Sequence, residues 1–208
     1  SSFYQKNRAN FAKQMKSKGL AVFTSNDIYP SSADGTLPFK QHSDIFYLTG
    51  VDQEETMLIL FPEAHNPAHR EMLFVRETNE HIAIWEGAKL SKAQATERTG
   101  IASIYWSQDF EKMLHTVIGE ATCLYLNNNE HARASIEVET REMRLSKHLR
   151  AKYPHHAVER SAPIMHRLRA VKEKEEVDQL QRAIDITRGG FERVMKMVKP
   201  GVMEYEIE

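Results

Sequence analysis

PFKQHSDIFYLTGVDQEETMLILF, residues 38–61, closes on a hydrophobic run, ETMLILF at 55–61, that reads as a buried strand. A second strand-like run, EMLFVR at 71–76, follows after PEAHNPAHR, and the pair predicts a hairpin with a long loop. Upstream, SNDIYPSSADGTLP at 25–38 is dense in turn residues and reads as a loop. LAVFT at 20–24 precedes it as another buried strand. Further back, Phe3, Tyr4, Phe11, Ala12 and Met15 share one face of a helix over 3–18, with Gly19 in the position of a helix stop. Downstream, HIAIW at 81–85 alternates and predicts a further strand.

After Gly87 strands and helices take turns. Ser91 is placed to cap a short helix that ends near Gly100. ASIYW at 102–106 reads as a strand. Ser107 is placed to cap a helix carrying Phe110, Met113, Leu114 and Val117, ending at Gly119. TCLYL is a strand, 135–151 a charged helix, and HAVER at 156–160 a last short strand. This alternation predicts a layered α/β domain with a mixed β-sheet flanked by helices. The segment 173–198 differs. Val177, Leu180, Ile184, Thr187, Phe191, Val194 and Val198 step by three and four, so they share one face of a long helix that Lys199-Pro200-Gly201 ends. A domain boundary between Ser161 and Leu168 accounts for the change, with the long helix opening a second domain.

Composition excludes several classes. The 208 residues are 41% hydrophobic and 27% charged, a globular balance. A net charge of -1 provides no basic field for nucleic acid or an anionic membrane. Apolar runs such as Met57 to Phe61 are far too short to span a bilayer. Cys123 is the single cysteine, so no internal disulfide forms, and its place in TCLYL reads as a small buried hydrophobe. SSFYQKNRAN carries no apolar h-region, and with the lone cysteine this predicts a cytoplasmic protein.

Catalytic signals are sparse. His65 and His69 are four apart, but Pro67 between them opposes a helix that would align them on a metal. His155 and His156 would point to opposite faces of a strand. His42, Ser43 and Asp44 have the composition of a catalytic triad without a nucleophile turn. Neither phosphate-binding glycine motif occurs. HLRAK and RLRAVKEKEE read as solvated helix faces rather than a nucleic-acid groove.

The stretch 38–61 resembles aminopeptidase P and the wider creatinase/prolidase family, in Pro38-Phe39-Lys40-Gln41, Ser43-Asp44 and Tyr47-Leu48-Thr49-Gly50 ahead of a hydrophobic strand. Lys40 stands where the family usually has Arg. The resemblance continues at IWEGAKL (84–90), at IMHRLRAVKEKEEVDQLQRAIDIT (164–187) and at KPGVMEYEIE (199–208), so it covers most of 38–208. It implies a creatinase-type N-terminal domain over 1–163. It also implies that 164–208 holds the linker and first helix of a truncated pita-bread catalytic domain. That domain would bind two Mn²⁺, or similar divalent ions, through ligands downstream of Glu208, so no catalytic or metal residue is carried onto this chain. The full-length parent would be a homo-oligomer removing the residue that precedes proline from peptides with proline second. In such relatives a Trp of this domain lines a neighbouring subunit's active site, and Trp85 occupies the similar position; the alternative is packing at a sheet edge. Prolidase, creatinase and non-catalytic peptide- or histone-binding relatives share the same domain.

Overall fold

The computed structural model describes residues 2–133 and 136–207, without the side chains of Glu80, Trp85 and Glu86. Two compact units are present, Ser1–Leu168 and Arg169–Glu208.

The first unit is built on one six-stranded sheet. Its strands are β1 (Gly19–Thr24), β2 (Met57–Leu60), β3 (Glu71–Val75), β4 (Ser103–Trp106), β5 (Cys123–Leu126) and β6 (Ala157–Arg160), in the spatial order β4-β3-β2-β1-β5-β6. β2 runs antiparallel to both neighbours, and every other pairing is parallel. The expected hairpin is β2–β3, with Leu58 opposite Leu73.

Successive side chains of a strand point to opposite faces, and both faces are covered. Ala21, Phe23, Leu58, Leu60, Leu73 and Val75 pack with residues of α1 (Ser2–Ala12), α2 (Ser43–Thr49), α4 (Lys92–Thr99) and α7 (Ala162–Ala170). Leu20, Val22, Ile59, Met72, Phe74 and Leu124 pack with α5 (Phe110–Val117) and α6 (Arg141–Lys152). Burial on two faces explains why these strands read as unbroken apolar runs. Each fully buried Leu, Ile or Phe stabilises the layers by about 1.5–3 kcal/mol. Ile164 and Met165 of α7 lie in the core, which is why the compact unit runs on to Leu168.

Four local readings change. The first helix stops at Ala12, and Gly19 opens β1, where a Cβ would meet the Tyr125 ring at 2.9 Å. HIAIW is helical, within α3 (Glu80–Glu86), because Asn79 caps it: its side-chain oxygen accepts the Ile82 N–H at 2.9 Å. Ser107 caps nothing. A 3-10 turn at Ser107–Asp109 leads into α5, and the Ser107 hydroxyl donates to Glu55 Oε2 at 3.3 Å. The charged helix begins at Arg141, where Thr140 accepts the Met143 N–H; its expected start at 135 lies outside the described residues.

The second unit is dominated by α8 (Lys174–Met197). Its N-terminus is a capping box, in which the Glu173 N–H donates to Glu176 Oε2 at 3.0 Å. Val177, Leu180, Ile184 and Phe191, on its apolar stripe, are 49–65% exposed.

Candidate functional site

The five co-directional strands end at Thr24, Val75, Trp106, Leu126 and Arg160, along one edge of the sheet. In open α/β sheets the carboxyl edge is where loops are free to build sites. The segments leaving it are 25–42, 76–91 and 127–140. Ser25, Gln53, Glu54, Asn127 and Ser161, polar residues next to the strand ends, are all buried.

Two charged clusters order this edge. The first centres on Glu142. His42 is the N-cap of α2, and its Nδ1 accepts the Asp44 N–H at 3.2 Å. Its Nε2 lies 3.3 Å from Glu142 Oε2. Glu142 Oε1 accepts the Asn129 N–H at 2.8 Å. The Asn127 amide donates to Asp44 Oδ2 at 3.0 Å and to Glu142 Oε2 at 3.5 Å. Burial pushes the Glu142 carboxyl above the ordinary carboxylate range; His42 and the Asn129 N–H work against this, and Asp44 adds to it. The triad-like composition at 42–44 is therefore a helix cap joined to a buried network. A shallow notch beside it is lined by Thr24, Asn127, Glu142 and Ser146.

The second cluster centres on Glu54, in the turn before β2. Its Oε1 lies 2.5 Å from Lys89 Nζ and 3.3 Å from Arg76 Nη1. The neighbouring Gln53 side chain accepts the Leu90 N–H at 2.8 Å. Helix α3 lies between Arg76 and Lys89 and carries Trp85 in its last turn. The Trp85 side chain is outside the described residues; Ile84 beside it is 76% exposed.

The remaining candidates separate. His65 sits near Glu120, and His69 near Asn66, both on the surface. His156 bonds the Ile118 carbonyl at 3.0 Å. Cys123 is buried in β5, and burial raises its thiol pKa, so it is a packing residue. Among the described residues no three His, Cys, Asp or Glu are grouped to hold a metal ion, so the two ions implied for the family find no ligand set in them. Glu54 and Glu142 carried no mark in the sequence: an acidic residue in a turn or first helical turn reads as solvated, and only the fold brings it its partners.

The aminopeptidase P N-terminal domain family matches residues 4–125. The Xaa-Pro aminopeptidase of Escherichia coli K12 is 28% identical over 206 residues, 99% of this chain and 46% of that protein. The human Xaa-Pro aminopeptidase 3 is 24% identical over 185 residues, 88% of this chain and 36% of that one. A zinc-substituted E. coli aminopeptidase P solved with product superposes with a TM-score of 0.79 at 25% identity, covering 99% of this chain and 47% of that chain. A Bacillus anthracis chain superposes at 0.89 with 26% identity, covering 100% and 49%. This chain thus spans about half the length of the relatives it matches or less. With the match at 4–125 taking in more than half of its residues, the chain belongs to the aminopeptidase P N-terminal domain family.

Proposed function

We propose that this chain is the amino-terminal, non-catalytic part of a dinuclear-metal Xaa-Pro aminopeptidase, serving oligomer formation and substrate access. The observation that carries the reading is the coverage: the E. coli enzyme structure takes in 99% of this chain, and this chain takes in only 47% of that one. In this reading 1–163 is the N-terminal domain, and 164–208 is the linker and first helix of the catalytic domain. The exposed stripe of α8 supports the second assignment, because a helix with one apolar face ordinarily buries it. The two Mn²⁺, or similar ions, belong with ligands downstream of Glu208. The parent is a cytoplasmic homo-oligomer acting on peptides with proline second.

Within that parent Trp85 touches substrate in a neighbouring subunit. Its place on a helix that exposes Ile84 supports the reading, since Trp is favoured at contact surfaces. The aromatic ring would orient longer peptides without adding a reacting group. Trp85→Ala in the parent enzyme is expected to lower kcat/KM for tripeptides about tenfold, or roughly 1.4 kcal/mol of lost contact. Metal content and solubility should hold. Equal kcat/KM for variant and wild type in an oligomeric enzyme would remove Trp85 from the site, and loss of soluble protein would assign it to packing.

A further inference from the structure

Between β3 and α4 the chain leaves the sheet, and α3 lies in this excursion. No described side chain from Arg76 to Ser91 is buried, so apolar packing holds the segment weakly. Apart from Leu90, which packs partly buried against the core, its attachments are polar, and they converge. Arg76 stands where the excursion begins and Lys89 where it ends, and both cations meet the same oxygen, Glu54 Oε1, at 3.3 and 2.5 Å. Gln53 takes the Leu90 N–H next to it. Glu55 adopts φ 56°, a left-handed conformation that side chains other than glycine rarely take, and accepts from Ser107. The strained turn 53–55 thus turns three consecutive side chains onto neighbouring segments.

Electrostatics agree with the geometry. Glu54 is 6% exposed, and burial alone would raise its carboxyl pKa. The hydrogen bond from Lys89, a backbone hydrogen bond and the charges of Lys89 and Arg76 outweigh that and hold it below the ordinary range. The carboxylate is therefore ionised at neutral pH, with a cation from each end of the excursion against it.

We infer that Glu54 is a positioning residue: it clamps the two ends of the excursion and so fixes helix α3, which carries Trp85, at the carboxyl edge of the sheet. The clamp stands on this chain's own geometry; that Trp85 then meets a peptide rests on the function proposed above.

Glu54→Gln keeps the size of the side chain and removes its charge. Amide hydrogen exchange of the 208-residue chain should quicken about tenfold or more at residues 80–86, the worth of one lost charge-assisted bond, with the strands β1, β2 and β5 unchanged. Glu54→Asp, which keeps the charge, should restore part of the protection. Unchanged exchange at 80–86 would overturn the inference, and so would an equal acceleration throughout the sheet, which would make Glu54 a general stability residue. In the parent enzyme, Glu54→Gln and Trp85→Ala should be non-additive in kcat/KM for tripeptides. The same Glu54→Gln loss with and without Trp85 would show that Glu54 does not act through α3. No effect of Trp85→Ala alone would sink the substrate role of Trp85, with the exchange experiment still deciding the clamp.

Discussion

Arg8 offers the sharpest test of how the helices are held on the sheet. Its side chain is fully buried, and it reaches the carboxyl ends of two helices at once. Nη1 donates to the Leu48 carbonyl of α2 at 2.9 Å, and Nη2 to the Thr99 carbonyl of α4 at 3.0 Å. A cation at two helix C-termini satisfies orphan carbonyls and opposes the negative ends of both dipoles. Arg8→Met fills most of the volume and removes both bonds. Each charge-assisted bond to a buried carbonyl is worth about 1.5–3 kcal/mol, so the two together give about 3–6 kcal/mol. The ion pair with Glu71 at 3.0 Å adds little, because Glu71 is 37% exposed and returns to water when Arg8 is gone. Met also removes the Arg8 Nε, which is buried with no hydrogen-bond partner, and this places the net loss at the lower end, about 3–4 kcal/mol. Urea unfolding followed by tryptophan emission is a direct assay, since both tryptophans lie in the first unit. With a slope of about 2 kcal/mol per molar urea, the midpoint should fall by about 1.5–2 M. A drop of less than about 0.5 M would show that the carbonyls find other partners and that Arg8 does not hold α2 and α4.

Two further expectations concern the same scaffold. Glu142 has a folded-state pKa raised above 4.5, so its stabilising contribution is fully present below that value and is lost as pH rises through the folded pKa. Wild type should therefore lose stability relative to Glu142→Gln as pH climbs from about 4 towards neutrality; parallel urea-midpoint curves over that range would mean Glu142 is not buried as described. Gly50 has φ +69°, and a Cβ there would lie 2.3 Å from the Tyr4 ring, so Gly50→Ala should cost about 2 kcal/mol or more in the same unfolding assay. A neutral result would mean that Tyr4 does not pack on the end of α2.

The sheet was readable because its four inner strands, β1, β2, β3 and β5, are buried on both faces. LAVFT, ETMLILF, EMLFVR, ASIYW and TCLYL are short apolar runs bounded by turn residues, and each is a strand in the structure. The stripe of α8 was equally plain, at six of its seven expected positions, Val177 to Val194; Val198, the seventh, is already the extended C-cap. HIAIW misled because five residues are too few to separate a period of 2 from one of 3.6; the deciding residue, Asn79, lies outside the run as its cap. The early end of α1 was hidden too, since Met15 continues the apolar spacing although the helix has closed at Ala12. The polar clusters could not be read from spacing. Asn127 meets Asp44 across 83 residues, and Lys89 meets Glu54 across 35, so both depend on the strand order β2-β1-β5 and on where the 76–91 excursion returns. The family resemblance supplied Trp85 and the two-ion expectation, which no periodicity or charge pattern in these residues carries.

Peptide hydrolysis by the proposed parent enzyme is the most direct test of the central claim. A Xaa-Pro-Xaa peptide with excess Mn²⁺ should lose its first residue catalytically to that protein, and chelation should abolish the release. On the proposed reading, in which the catalytic domain is separate from these residues, the 208-residue chain alone should release none above the blank. Turnover by the isolated chain, or a parent protein that leaves the Xaa-Pro bond intact with Mn²⁺ bound, would contradict the account.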